Sequence, residues 1–250
     1  MSQQIILITG ASGGIGSALA RTYAAPGVTL LLWGRDGARL EETAAACRAK
    51  GAVCHSESFD LRDTDGLITR LAAADAVTPI DIAIFNAGLG GTAPDDAAAE
   101  TPQASRAVAE VNFVAPVMGA NAVATAMAAR GRGRIVLIGS IAESFPLPMA
   151  PTYAATKAGL RMFAEALGIR LAKHGVDVTL VSPGFIDTAM SRQVNDSKPF
   201  LMSADKAAAI IARGIAARAR TIVVPWQFAV IRAMTGLLPR AVLRAVLSRR

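Results

Sequence analysis

Short apolar runs alternate along the chain with longer segments whose apolar residues recur at helical spacing. The continuous apolar runs predict buried strands, at residues 4–9, 28–33, 52–56, 80–85, 134–139, 176–181 and 221–224. The segments between them predict helices, over 14–25, 37–50, 63–75, 103–130, 152–173 and 204–219. Strands that are apolar on both faces and alternate with helices indicate a parallel sheet covered on both sides. The pattern therefore predicts an α/β fold with one doubly wound sheet of about seven strands.

Two of these helices carry local signals. Asp36 is placed to cap the helix over 37–50, because its side chain can accept a hydrogen bond from a free backbone N–H. Pro116 breaks or kinks the long helix over 103–130, since proline has no N–H to donate.

The composition is that of a folded protein in a reducing compartment. The chain has 250 residues, of which 52% are hydrophobic, and it contains no linker or repeat, so we expect one domain over 1–225 with 226–250 as its helical extension. Its start, MSQQIILITG, predicts a strand rather than a signal peptide. No apolar stretch reaches the roughly 18 residues of a spanning helix. Cys47 and Cys54 are too few for a metal site, so we expect a cytoplasmic protein without a metal.

The net charge of +7 is concentrated at one end of the chain. Residues 206–250 hold nine basic residues and no acidic one, whereas the first 205 residues have a net charge of −2. The basic segment is apolar and has few polar side chains that could contact bases. We therefore expect no nucleic-acid partner, despite the overall charge.

The basic C-terminal segment predicts two short amphipathic helices. Gly236 and Pro239 indicate the stop of one helix and the start of the next. In the first helix, Arg232 is predicted to lie opposite an apolar cluster, consisting of Phe228, Val230, Ile231 and Met234. Such helices can lie on an anionic membrane surface, form an oligomer contact, or cover a substrate pocket.

A glycine-rich turn follows the first predicted strand. In TGASGGIG, residues 9–16, the glycines at 10, 14 and 16 allow a tight turn and a close approach of the backbone to a phosphate. The helix that follows offers free N–H groups to a pyrophosphate. The turn therefore predicts a dinucleotide site at this end of the sheet.

A phenol and an ammonium share one face of the helix over 152–173. Tyr153 and Lys157, in YAATK, are four residues apart and can therefore act on one site. A neighbouring cation stabilises the phenolate, so we expect Lys157 to lower the pKa of Tyr153.

Taken in order, six motifs resemble those of the short-chain dehydrogenase/reductase family, over roughly residues 5–190. They are the glycine turn, NAG at 86–88, Asn112, Ser140, the Tyr153–Lys157 pair and PG at 183–184. The resemblance implies a Rossmann-like fold and an oxidoreductase that transfers hydride between a nicotinamide and a carbonyl or secondary alcohol. The alternative is a binding protein that senses NADP(H) without catalysis.

The resemblance also implies roles for individual residues. Tyr153 would be the general acid and base, Lys157 would hold the nicotinamide ribose, Ser140 would polarise the substrate oxygen, and Asn112 would hold a water on the proton path. The implied cofactor-binding residues are Gly10, Ser12, Gly14, Ile15, Gly16, Arg35, Asp60, Leu61, Asn86, Ala87, Gly88, Tyr153, Lys157, Pro183, Gly184, Ile186 and Thr188. Asp60 could instead cap the helix near residue 63.

The end of the second strand favours NADP(H) over NAD(H). NAD-preferring relatives have an acidic residue there, whereas this chain has Gly34 followed by Arg35, which can bind a 2′-phosphate. Two features argue the other way. Gly13 stands where many NADP-preferring relatives have a second basic residue, and a small loop change could bring Asp36 into the acidic role.

The substrate side carries less information. The loop from Pro183 to about Pro199 would form a lid. The predicted pocket wall is apolar and consists of Phe145, Pro146, Leu147, Phe185 and Met190. A lipophilic ketone or aldehyde is therefore the hypothesis for the substrate. The resemblance further implies a homo-dimer or homo-tetramer.

Overall fold

Seven parallel strands form the central sheet of the computed structural model, which describes residues 3–91, 97–193 and 197–237. Their order is β3-β2-β1-β4-β5-β6-β9. The strands are β1 (Gln4–Thr9), β2 (Val28–Gly34), β3 (Val53–Ser58), β4 (Ile82–Phe85), β5 (Gly133–Ile138), β6 (Val176–Pro183) and β9 (Thr221–Val224). A second, two-stranded parallel pair consists of β7 (Ile186–Asp187) and β8 (Met202–Ser203). The doubly wound parallel sheet predicted from the apolar runs is confirmed, and so is the Rossmann-like fold that the resemblance implies.

Helices cover both faces of the sheet. They are α1 (Gly14–Tyr23), α2 (Gly37–Arg48), α3 (Thr64–Val77), α4 (Pro102–Ala109), α5 (Ala115–Ala129), α6 (Pro151–Leu171), α7 (Ala189–Arg192), α8 (Ala204–Ala216) and α9 (Gln227–Leu237). Helices α1, α2 and α8 pack their buried apolar residues on one face, and α3, α5 and α6 pack theirs on the other. As predicted, Asp36 caps α2 by accepting a hydrogen bond from the Arg39 N–H at 3.1 Å.

The long helix predicted over 103–130 is not broken at Pro116. A single π-helical stretch, Glu110–Val114, joins α4 to α5, and Pro116 lies in the first turn of α5, where its missing N–H is tolerated. The combined helix, Pro102–Ala129, has the length and apolar composition of a membrane span, but half of that apolar window is buried inside the protein. We interpret it as a core helix because α5 packs against the sheet.

Helix α9 packs against the domain in a way that corrects the predicted wheel. Phe228 is buried, but Val230 is 49% exposed and does not belong to the apolar face. Arg232 lies on the same face as Phe228, one helical turn further on, and its guanidinium reaches a buried carboxylate. The helix is described through Gly236 to Leu237, one residue beyond the predicted stop. The second predicted helix, after Pro239, lies outside the described residues.

Candidate active site

The predicted site residues converge at the carboxyl ends of the central strands. The chain crosses from β1 to β2 in one direction and returns to β4 on the other side of β1, so a crevice opens between β1 and β4. Ligands of doubly wound sheets bind at such a switch point.

The glycine turn after β1 is fixed by close packing. Gly10 has φ +67°, a conformation that favours glycine, and a Cβ there would lie 2.7 Å from the Ala87 Cα. A Cβ on Gly16 would lie 2.2 Å from the Gly10 carbonyl oxygen. Gly14, with φ +56°, faces the Thr188 side chain. The turn therefore contacts both β4 and the segment after β6.

Asn86 ties β4 to the glycine turn. Its Nδ2 donates to the carbonyl oxygens of Thr9 and Gly10, at 3.0 and 3.2 Å. The Thr9 hydroxyl accepts hydrogen bonds from the backbone N–H groups of Asn86 and Ala87, at 3.0 and 3.2 Å. Thr9 is buried and was not among the predicted site residues, although it begins the TGASGGIG motif.

Tyr153 and Lys157 lie in the first two turns of α6. The start of this helix is held by Glu100, whose carboxylate accepts a hydrogen bond from the Thr152 N–H at 3.0 Å. A carboxylate is favourable there because the helix N-terminus is partly positive. The Lys157 Nζ lies 5.7 Å from the centre of the Tyr153 ring, so the predicted pair is assembled.

The expected pKa of the phenol is wrong in direction. Burial raises the pKa of Tyr153, and a hydrogen bond from Ser140 only partly opposes this. Burial also lowers the pKa of Lys157 to about 8. The Lys157 ammonium is engaged elsewhere, since Nζ donates to the Ile138 carbonyl oxygen at 2.9 Å. Tyr153 is therefore protonated at neutral pH, which suits a proton donor.

Ser140 and Asn112 flank this pair. Ser140 follows β5, and its Oγ also accepts a hydrogen bond from the Ala142 N–H at 3.2 Å. Asn112 is fully buried in the π-helical turn, and its side-chain amide makes two hydrogen bonds with the Leu89 backbone, at 2.7 and 2.9 Å. A Cβ on Gly88 would lie 3.4 Å from the Asn112 Oδ1 and 3.9 Å from the Lys157 Nζ, so these residues meet. The water-holding role of Asn112 stays a prediction.

The end of β2 presents two arginines, of which sequence analysis found one. Arg35 is exposed directly after β2. Arg39, in the first turn of α2, extends over the glycine turn, so that a Cβ on Gly13 would lie 3.0 Å from one of its terminal nitrogens. Helix α2 thus places a guanidinium beside position 13. Asp36 is engaged as the cap of that helix.

The predicted adenine-side pair lies after β3. Leu61 is buried, and Asp60 accepts hydrogen bonds from the backbone and side chain of Arg62, at 3.0 and 2.9 Å. The alternative role for Asp60 is wrong, because Asp63 caps α3 by accepting a hydrogen bond from the Gly66 N–H at 2.9 Å.

The segment after β6 closes the other side of the crevice. The Gly184 N–H donates to the Val224 carbonyl oxygen at 2.8 Å, and Ile186 is buried in β7. Thr188, after Pro183 and β7, caps α7. The side chain of Met190, in α7, reaches the loop after β4, where a Cβ on Gly90 would lie 3.2 Å from its Cγ. The segment thus lies near both the glycine turn and the loop after β4. Its role as a lid stays a prediction, and residues 194–196 of it lie outside the described residues.

Comparison with known proteins gives concordant matches. A family model described as short chain dehydrogenase matches residues 4–199. An uncharacterized oxidoreductase of Myxococcus xanthus is 32% identical over 251 residues, which cover 100% of this chain and 98% of that protein. A short-chain dehydrogenase from Sphingobium yanoikuyae, solved with NADPH, aligns with a TM-score of 0.82 at 26% identity, over 95% and 97% of the two chains. A bulky-bulky ketone specific alcohol dehydrogenase from Comamonas testosteroni aligns with a TM-score of 0.80 at 28% identity, over 95% and 94%.

Proposed function

Because this chain belongs to the short-chain dehydrogenase/reductase family and is an oxidoreductase, we propose that it reduces carbonyl compounds, or oxidises the corresponding secondary alcohols, with NADP(H). The single observation that carries the proposal is the assembly of Ser140, Tyr153 and Lys157 at the carboxyl ends of β4 and β5. A non-catalytic binding protein has no use for a proton donor at that point.

The residues of the chain supply the proton and orient the substrate. Tyr153 donates its proton to the developing alkoxide, or accepts one in oxidation. Ser140 donates a hydrogen bond to the substrate oxygen as negative charge develops on it. Lys157 places a cation beside the site and would hold the nicotinamide ribose, and the bound nicotinamide would supply the hydride.

Two features at the end of β2 support the preference for NADP(H): its positive charges, and the lack of room for an acidic side chain at position 34. The 2′-phosphate carries negative charge, which Arg35 and Arg39 can both contact through planar guanidinium groups. Gly34 offers no carboxylate for a ribose hydroxyl, and a side chain there would meet the Ser12 Oγ at 3.3 Å. Asp36 would have to give up the cap of α2 to take that role.

A bulky, lipophilic ketone is the substrate class we propose. Phe145 and Leu147, which follow the turn after Ser140, are partly buried, and Phe185 lies 6.2 Å, ring to ring, from Phe228. Such a wall favours apolar groups. A ketone-specific relative of similar fold is consistent with this.

We further propose a homo-oligomer in the cytoplasm. The π-helical turn, α5 and α6 expose large apolar side chains, namely Val114, Met118, Met162 and Ile169. A second copy would cover them, as light scattering can test.

Cys47 and Cys54 are buried and unbridged, as expected in a reducing compartment. The described part of 226–250 packs on the domain, which favours pocket closure over membrane contact.

The test compares the two tyrosines of the chain. Tyr153→Phe should bind NADPH normally and lose about 10²- to 10⁴-fold in turnover of a carbonyl panel, followed by NADPH absorbance. Tyr23→Phe is the matched control, because the buried Tyr23 hydroxyl has no hydrogen-bond partner among the described residues. Full activity in Tyr153→Phe would refute the proposed function.

A further inference from the structure

A buried carboxylate lies next to the proposed catalytic residues and has no part in the reaction described so far. Glu143 belongs to the short 3-10 turn Ile141–Ser144, directly after Ser140, and its side chain is 0% exposed. Burying a carboxylate costs free energy unless hydrogen bonds or a cation compensate. Its contacts therefore indicate what keeps it in place.

Partners from two other elements hold one oxygen of Glu143. Oε1 accepts a hydrogen bond from the Ser182 hydroxyl of β6 at 2.7 Å, and it lies 3.1 Å from a guanidinium nitrogen of Arg232 in α9. Oε2 is buried and has no hydrogen-bond partner among the described residues. It occupies space that only a glycine leaves open, since a Cβ on Gly139 would lie 2.7 Å away. The carboxylate is thus fitted between β5, β6 and α9.

Glu143 and Lys157 reach the same strand end, since the Lys157 Nζ donates to the Ile138 carbonyl oxygen at 2.9 Å and the Glu143 Oε2 lies against the adjacent Gly139. At this position the negative charge of Glu143 raises the pKa of Tyr153, adding to the effect of burial, and it opposes the burial that lowers the pKa of Lys157. Burial also raises the pKa of Glu143 itself, against the Ser182 hydrogen bond and the cations of Arg232 and Arg161. The carboxylate therefore favours the neutral phenol and the charged amine.

We propose that Glu143 is a positioning residue that sets the pH at which Tyr153 and Lys157 change protonation state, favouring the neutral phenol and the charged amine. Arg232 compensates the buried charge, and it makes that compensation depend on the docking of α9. The inference rests on the proposed function, because it assumes that Tyr153 is the proton donor. It also gives the described part of the basic C-terminal segment a role in the site.

A direct titration tests the proposal without any turnover. In a Tyr23→Phe background, Tyr153 is the single remaining tyrosine, so the near-ultraviolet absorbance of tyrosinate reports on it alone. Glu143→Gln should let Tyr153 ionise at a pH about one unit lower. Glu41→Gln removes an equal charge from the exposed surface of α2 and should leave the titration unchanged.

A double variant without the buried charges controls for misfolding of Glu143→Gln. Glu143→Gln combined with Arg232→Gln removes both charges of the buried pair, and it should show the same downward shift. If Tyr153 titrates at the parent pH in both variants, the proposal is overturned.

The pH dependence of turnover supplies a second, independent result. Reduction requires the neutral phenol, so its loss at high pH should begin about one unit lower in Glu143→Gln. Oxidation requires the phenolate, so its onset should move in the same direction. A purely structural role would lower both rates at every pH without moving either profile, and that result would overturn the proposal. If Tyr153→Phe stayed active, the proposed function would fail, while the absorbance titration would still report the coupling.

Discussion

Replacing Gly10 by alanine tests whether the glycine turn is fixed by packing as well as by backbone conformation. Gly10 has φ +67°, and an added Cβ would lie 2.7 Å from the Cα of Ala87. Gly131 has nearly the same φ, +69°, and no atom within 4 Å of an added Cβ. Both substitutions force alanine into the left-handed region, but only Gly10→Ala adds a collision with the backbone after β4.

The two contributions can be separated by comparing these variants. The left-handed conformation costs an L residue about 1–2 kcal/mol, and alanine recovers about 0.4–1 kcal/mol by restricting the unfolded chain. Gly131→Ala should therefore lower the free energy of unfolding by about 1 kcal/mol. The collision at Gly10 should add about 1–3 kcal/mol, because backbone atoms cannot rotate away as a side chain can.

Urea unfolding followed by far-ultraviolet circular dichroism measures both costs. At a slope of about 3 kcal/mol per molar, the collision should separate the midpoints of the two variants by about 0.3–1 M. Both variants are compared at one protein concentration, so that any oligomer contributes equally. Equal midpoints would show that the turn can move away from Ala87, and they would refute the packing argument.

Three further predictions concern the crevice and its surroundings. Arg39→Gln should weaken NADPH binding about 10- to 100-fold in a fluorescence titration, because one charge-assisted hydrogen bond to the 2′-phosphate is lost. NADH binding should be unchanged. Equal effects on both cofactors would exclude a 2′-phosphate contact. Asn86→Ala should lower the free energy of unfolding by about 2 kcal/mol, because the Thr9 and Gly10 carbonyl oxygens lose their donor; an unchanged urea midpoint would contradict this. Arg232→Gln should lower the free energy of unfolding by about 3 kcal/mol, because the buried Glu143 carboxylate loses its cation. Adding Glu143→Gln should recover part of that free energy. No recovery would mean that the two residues act independently.

Much of the candidate site could be predicted from sequence because its residues follow strand ends. Ser140, Asn86 and the glycine turn each come directly after a parallel strand, and parallel strands place their carboxyl ends along one edge. The spacing of Tyr153 and Lys157 predicted a shared helix face, and the two side chains do meet.

The protonation of that pair could not be predicted from spacing. The sequence places a cation near Tyr153, but the pKa of the phenol depends on burial, on Ser140 and on a carboxylate that arrives from another element. Likewise, the sequence shows no basic residue in the glycine turn, whereas folding brings Arg39 over Gly13.

The parallel sheet, the order of its elements and the identity of the groups at the strand ends follow from the sequence, because hydrophobic periodicity and turn chemistry are local properties. The environment of those groups depends on the folded arrangement of distant segments. Glu143 and Arg232 are 89 residues apart, and neither a charge count nor a helical wheel pairs them. The effect of a charge on a neighbouring pKa depends on burial and on distance in three dimensions, because electrostatic energy varies with the separation of the charges and with the exclusion of water.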